Sequence, residues 1–151
     1  MHRLYEQGDI VVFWNSEKCR HAKRCVHGSP QTFDPNRRPW IDLTKAPTPE
    51  VWQAVSACPT GALSCVYSHE IIVLFDEEHN RSLAFDKDVQ IGKCDFRITP
   101  AGWEIYHTEV LPDYGNKGIA KRLVYRILET AEKKCINVIP MCSYAVSLLN
   151  E

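Results

Sequence analysis

Two stretches decide how this chain is read: SEKCRHAKRCVHGSP, residues 16–30, and SACPTGALSC, residues 56–65. The first carries Cys19 and Cys25; the second carries Cys58, followed at once by Pro59, and then Cys65. Soft thiolates from one short loop, closed by a distant cysteine that precedes proline, form the donor set that an iron–sulfur cluster takes. The bacterial cluster loop runs C-x2-C-x2-C; here its outer positions are Cys19 and Cys25, and Ala22 fills the middle one. Three thiolates remain, so either one iron takes another ligand or the cluster has only three irons. Zinc is the competing reading, but a structural zinc site takes four ligands in paired knuckles. The single long spacer and the Cys58-Pro59 pair fit iron–sulfur better.

A chain of 151 residues suits one ordinary domain or two very small ones. Its 44% hydrophobic and 25% charged residues are those of a globular protein, and a net charge of −1 gives no global pull toward nucleic acid or an anionic membrane. The opening MHRLYEQGDIVVFW lacks the layout of a signal peptide, and no apolar run approaches the ~20 residues that span a bilayer. Seven cysteines, an odd number, then read as metal or catalytic thiols rather than disulfides, and the expected compartment is the cytoplasm.

Working outward, DIVVFW at 9–14 reads as a strand with Ile10, Val12 and Trp14 on one face. The segment from Ser16 to Pro47 is long enough to need a staple, which a cluster would supply. A short helix follows, with Thr48 as N-cap, Pro49 as its first residue and Val51, Trp52 and Val55 as an apolar stripe that delivers Cys58. Residues 63–67 read as a strand. Beyond Ser68 the pattern changes to consecutive strands, EIIVLF, SLAFDKD, QIGKCDFRIT and WEIYHTEV, then the loop LPDYGNKG at 111–118. Ile119, Leu123, Ile127 and Ala131 mark a helix to about Lys134, INVIPMC a short strand and SYAVSLLNE a last helix.

The stretches YEQGDIVVFWNSEKCRHAKRCVHGSPQTFDPNRRPWID and VSACPTGALS resemble the divergent mono-cluster ferredoxin-like family, through the elements C-x-H-x3-C, F-D-P-x-x-R-P-W and C-P-x-G-A-L. The resemblance implies a small 4Fe-4S or 3Fe-4S domain over residues 1–67, with Cys19, Cys25 and Cys58 as ligands. For the fourth position His21 and Cys65 stand as alternatives, and a three-iron cluster needs neither. Lys18, Arg20, Lys23, Arg24, Arg37 and Arg38 read as a basic patch that offsets a negative cluster or docks an acidic redox partner. Trp14, Trp40 and Trp52 read as core and cluster shielding.

In the second half, a strand ending at Val110, a glycine loop and a helix start make an N-terminus suited to anions, pyrophosphate above all. With HTEVLPDYGNKGIAKRLV before and within that helix and IPMCSY after it, the stretch from about Glu70 to Ser147 resembles a minimal branch of the GCN5-related N-acetyltransferases, which implies a domain over residues 68–151. The fold class expected is α+β: a small ferredoxin-like domain followed by a minimal α/β acetyltransferase-like domain with a mostly antiparallel sheet. The resemblance implies acetyl-CoA held by Val110, Gly115, Asn116, Lys117, Gly118, Ile119 and Ala120, with its pantetheine arm between strands splayed near Val110 and Cys142. Gly115 stands where relatives carry Arg or Gln, so one side-chain contact is missing.

Acetyl transfer to an amine needs a polarised thioester carbonyl, a base and a proton for the leaving thiolate. A strand N–H near Val110 is the candidate oxyanion donor, and His107 with Glu109 the candidate base pair on one strand face. Cys142 is either a nucleophile or a substrate-side wall, with direct transfer favoured, and Tyr144 or Ser143 returns the proton. Cys94 and Cys135 read as structural. The function expected is an iron–sulfur module fused to an acetyl-CoA-dependent N-acetyltransferase that the cluster gates. The alternatives are a redox, oxygen or iron sensor, and an electron-transfer ferredoxin beside a CoA-binding domain that is not catalytic.

Overall fold

Strand β2, Ile10–Asn15, takes up the alternation of DIVVFW and sits at the centre of a three-stranded antiparallel sheet. Its neighbours are β1, His2–Gln7, which the sequence reading did not anticipate, and β3, Leu63–Tyr67. The computed structural model describes residues 1–150 and divides the chain into Met1–Ser68 and His69–Glu151. In the first unit Ile10, Val12 and Trp14 enter one core with Phe33, Ile41, Val51 and Leu63, as their shared strand face requires.

The segment between β2 and the helix α2, Thr48–Ser56, contains a five-residue helix α1, Arg24–Gly28. Helices α1 and α2 meet where Gly28 faces Ala54: a Cβ on Gly28 would lie 3.1 Å from the Cβ of Ala54. Thr48 is the first helical residue, not the cap; Pro47 takes that place, because the Thr48 hydroxyl is engaged with the Asp9 carboxylate at 2.6 Å. The rest of the segment is stapled by Arg37. Its guanidinium donates to the carbonyls of Thr32 (2.7 Å), Gln31 (3.0 Å), Pro39 (3.2 Å) and Trp40 (3.3 Å). Arg37 is therefore a loop staple rather than a member of a cationic patch.

In the second unit the strands β4, Ile71–Asp76, β5, Arg81–Asp86, β6, Val89–Thr99, β7, Gly102–Val110, and β8, Val138–Pro140, lie side by side in chain order. All pairs are antiparallel except β7 with β8, so the sheet is mostly antiparallel as expected. Helix α3, Ile119–Lys133, covers the face that carries Ser82, Ala84, Gly92 and Cys94, and buries Ile119, Leu123, Ile127 and Ala131 completely or nearly so. Helix α4, Ser143–Leu149, follows β8. Among the described residues no helix is long and apolar enough to cross a membrane.

Candidate functional sites

The loop expected to bind a cluster brings Cys19, Cys25 and Cys58 to the wall of one cavity of ≈ 30 Å³, with Trp14, Ala22, Pro59 and Leu63. Cys19 ends a 3-10 turn, Cys25 lies in α1, and Cys58 follows α2, whose apolar stripe anchors it to the core. Arg20, Lys23 and Arg24 line the same cavity and make its surroundings positive. Among the described residues no three His, Cys, Asp or Glu side chains gather closely enough for one metal ion. Two sulfurs on a single zinc lie only about 3.8 Å apart, from a Zn–S bond of ~2.3 Å. The ligands of a polynuclear cluster need not meet at one ion, because each thiolate is bound to a separate iron.

Cys58 and Cys25 are shifted in opposite directions. Burial pushes Cys58 up, but the N–H groups of Leu63, Thr60 and Ala62 and the Thr60 hydroxyl outweigh it, and Cys58 sits below its ordinary value. At Cys25 burial prevails over the N–H groups of Val26 and of Cys25 itself, with the charges of Cys58 and Cys19 pushing the same way. At Cys19 the backbone N–H of His21 donates to the sulfur at 3.4 Å, a contact made with His21 at φ 57°. The His21 side chain is exposed and lines a separate basin with Cys19 and Cys25, not the cavity that Cys58 shares. Cys65 pairs with Val12 on β3 and is likewise outside the cavity lining. Trp14 lines the cavity and meets Trp40 edge-on at 4.9 Å, whereas Trp52 stacks on Tyr67 elsewhere.

In the second unit β8 pairs with β7 for three residues only, ending at Ile105↔Pro140, while β7 runs on to Val110. The strands part there. The N–H groups of Met141 and Cys142 both donate to the Ile105 carbonyl, at 2.8 and 3.0 Å, and fix Cys142 at the apex of the opening. Tyr106 is the extra residue of a bulge between Asp95↔His107 and Phe96↔Ile105. The Leu111 N–H donates to Ile91 on the β6 side. By strand alternation His107 and Glu109 also direct their N–H groups to β6, which leaves those of Thr108 and Val110 on the open edge.

Beyond Val110 a short 3-10 turn at Pro112–Tyr114 leads to Gly115 and to Asn116 at φ 60°. Gly118 caps α3 at φ 74°, a left-handed conformation that suits glycine, and no side chain caps the helix. The first N–H groups of α3 therefore have neither an intrahelical partner nor a side-chain cap. Ile119 is buried and Ala120 half-buried, so neither side chain extends far from this turn. Tyr114 donates to Asp86 at 2.5 Å and ties this loop to the end of β5; the carboxylate raises the Tyr114 hydroxyl above its ordinary value.

Thr108 is the residue that sequence reasoning missed. Its hydroxyl donates to Cys94 at 3.3 Å and lies 3.5 Å from Cys142. Only the register, which pairs Cys94 with Thr108, reveals this contact. Cys142 also accepts from the Ala145 N–H at 3.3 Å as the cap of α4. Cys94 is fully buried, and burial, the Cys142 and Asp95 charges working with it, pushes its thiol up to about 12. His107 and Glu109 pair at 3.3 Å, both about half exposed, and Lys93 reaches Asp95 (3.1 Å) and Glu109 (3.9 Å). These four lie on the sheet face opposite Thr108, so the candidate base pair and Cys142 approach the opening from different sides. Tyr144 lies in the first turn of α4, 37% exposed.

Comparison with known proteins agrees with this division. Residues 5–68 match the divergent 4Fe-4S mono-cluster family, and residues 81–151 match the GCN5-related N-acetyl-transferase family. Over 69 residues, 46% of this chain, the sequence is 33% identical to the uncharacterized protein YjdI of Escherichia coli K12, 88% of which is covered. The YjdI of Escherichia coli O157:H7 is similar to the same extent. A solved ribosomal-protein-alanine N-acetyltransferase from Brucella melitensis biovar Abortus 2308 aligns with a TM-score of 0.39 at 15% identity, over 89% of this chain and 79% of that one, a likeness that carries no argument.

Proposed function

We propose, for a chain that belongs to the divergent 4Fe-4S mono-cluster family over residues 5–68 and to the GCN5-related N-acetyl-transferase family over residues 81–151, that an iron–sulfur module is joined to an acetyl-CoA-dependent acyltransferase acting on an amine. The observation that carries the first half is the cavity shared by Cys19, Cys25 and Cys58. Such a cluster supplies one-electron redox chemistry. The chain's part is to hold thiolates, and Cys58 is better prepared than Cys25, since its hydrogen bonds favour the charged form. The exposed position of His21 makes it an exchangeable fourth ligand rather than a fixed one.

The second half supplies the acyl chemistry. The α3 N-terminus and the 115–120 backbone receive the pyrophosphate of CoA, and the pantetheine arm enters the opening between β7 and β8. There the Thr108 and Val110 N–H groups donate to the thioester oxygen as it gains charge. The acceptor amine arrives from the face of His107 and Glu109, which take its proton. The amine nitrogen bonds to the carbonyl carbon, the C–S bond breaks, and the departing thiolate takes a proton from the hydroxyl of Tyr144 or Ser143, which solvent then reprotonates. Transfer is direct, with Cys142 a wall of the opening; its thiol is engaged with Thr108 and the Ala145 N–H.

Calorimetric titration of the anaerobically purified protein with acetyl-CoA, followed by turnover on a panel of primary amines, tests this reading. One binding site and amine-dependent release of CoA are expected; no binding would overturn the acyltransferase half. Turnover that changes on oxidising the iron is the expected sign of gating, and unchanged turnover supports the electron-carrier alternative.

A further inference from the structure

A basin of ≈ 670 Å³ lies beside the cysteine cavity and shares Cys19, Cys25 and His21 with the proposed cluster site, while the rest of its wall takes no part in the chemistry above. That volume suits a small organic ligand. Its wall is aromatic: Tyr5, Trp14 and Trp40 line it, Trp14 from within the core and Tyr5 and Trp40 partly buried, with Trp40 meeting Trp14 edge-on. Lys23 and Arg38 line it as well, both exposed, and no carboxylate is among the described residues that line it. Arg38 is held at the rim by its own loop, donating to the carbonyls of Pro35 and Arg37, each at 2.9 Å. Cys19 and Cys25 line both the basin and the small cavity.

An apolar aromatic wall recognises a planar body, and cations without a matching acid recognise a negative charge at its end. We infer that this basin is a binding site for a flat aromatic anion, a carboxylate or sulfonate on one or two fused rings. The anion meets Lys23 and Arg38, and the ring system lies against Tyr5 and Trp40 beside the two cysteines. The iron–sulfur module then has a small-molecule site of its own, separate from CoA. The inference stands on the aromatic and cationic walls of the basin; its cysteine wall rests on the cluster reading, since Cys19 and Cys25 belong to both.

The test uses the full chain, purified anaerobically, with 1-naphthoate as probe and 1-naphthalenemethanol as its neutral counterpart, both followed by calorimetry. Naphthoate is expected to saturate one site per chain, and the alcohol to bind about tenfold more weakly or worse, for want of the charge-assisted contacts. Lys23→Gln with Arg38→Gln, two exposed substitutions that leave the core intact, is expected to weaken naphthoate by about tenfold or more and to leave the alcohol unchanged. Absence of saturable naphthoate binding would overturn the inference, and so would a difference below about threefold in either comparison. Iron measured on the same sample decides the cluster reading separately, so the two fail independently.

Discussion

At Cys94 and Cys58 the same two forces meet with opposite results. Cys94 is fully buried with one hydroxyl donor, and burial lifts it to about 12. Cys58 is half-buried and surrounded by N–H groups and the Thr60 hydroxyl, which win. In iron-depleted native protein, iodoacetamide is therefore expected to label Cys58 before Cys25 and to spare Cys94, as peptide mass mapping over time would show. For Cys94 the folded value lies above the unfolded one, so its contribution to stability is complete below about pH 9 and is lost as pH rises toward 12. The loss is at most roughly 1.4 kcal/mol per pH unit. Urea unfolding of the second unit at pH 8 and pH 10 is expected to show this slope, and Cys94→Ala to flatten it. Among the candidate catalytic residues, Glu109→Gln is expected to lower kcat by roughly 10²-fold as the loss of a general base. Cys142→Ala should stay within about threefold at saturating acetyl-CoA; a loss as large as that of Glu109→Gln would restore the nucleophile role.

The elements that were legible in the sequence are those with a strong period. The strands around VVFW, IIVLF and WEIYHTEV and the helix beginning at Ile119 lie within a residue or two of their expected bounds, because each has apolar residues at strand or helix spacing. Strand β1 was not legible, since only Leu4 of its six residues is buried and charged or polar residues surround it. Helix α1 spans five residues, too few to show a period, and starts after Lys23 at φ 64°. The cysteine set could be read from spacing, whereas Thr108 needed the β6–β7 register and the staple role of Arg37 needed the fold of its loop. Arg37→Gln is expected to cost the first unit about 1–3 kcal/mol through lost charge-assisted bonds, measured by chemical unfolding. At the helix start, Gly118→Val forces a β-branched residue into a left-handed conformation. It is expected to raise the KM for acetyl-CoA by about tenfold with a smaller change in kcat.

At the scale of the whole molecule, two units with separate cores carry two family signatures, and each unit draws its stability from a different source. A first unit of this size, with a long segment from Ser16 to Pro47, would gain from a cluster held between Cys25 of α1 and Cys58 after α2, whereas the second relies on its sheet and α3. Iron chelation is accordingly expected to lower the unfolding temperature of the first unit by several degrees, while acetyl-CoA raises that of the second. Trp103 is the sole tryptophan of the second unit, so its fluorescence in a chain lacking the other three would report that unit alone. The central claim is that Cys19, Cys25 and Cys58 hold an iron–sulfur cluster. Mössbauer spectroscopy of anaerobically purified, ⁵⁷Fe-enriched protein tests it most directly. The expected result is a cluster of three or four sulfide-bridged irons that is lost in Cys58→Ser; protein without sulfide-bridged iron, or a cluster that survives Cys58→Ser unchanged, would contradict it.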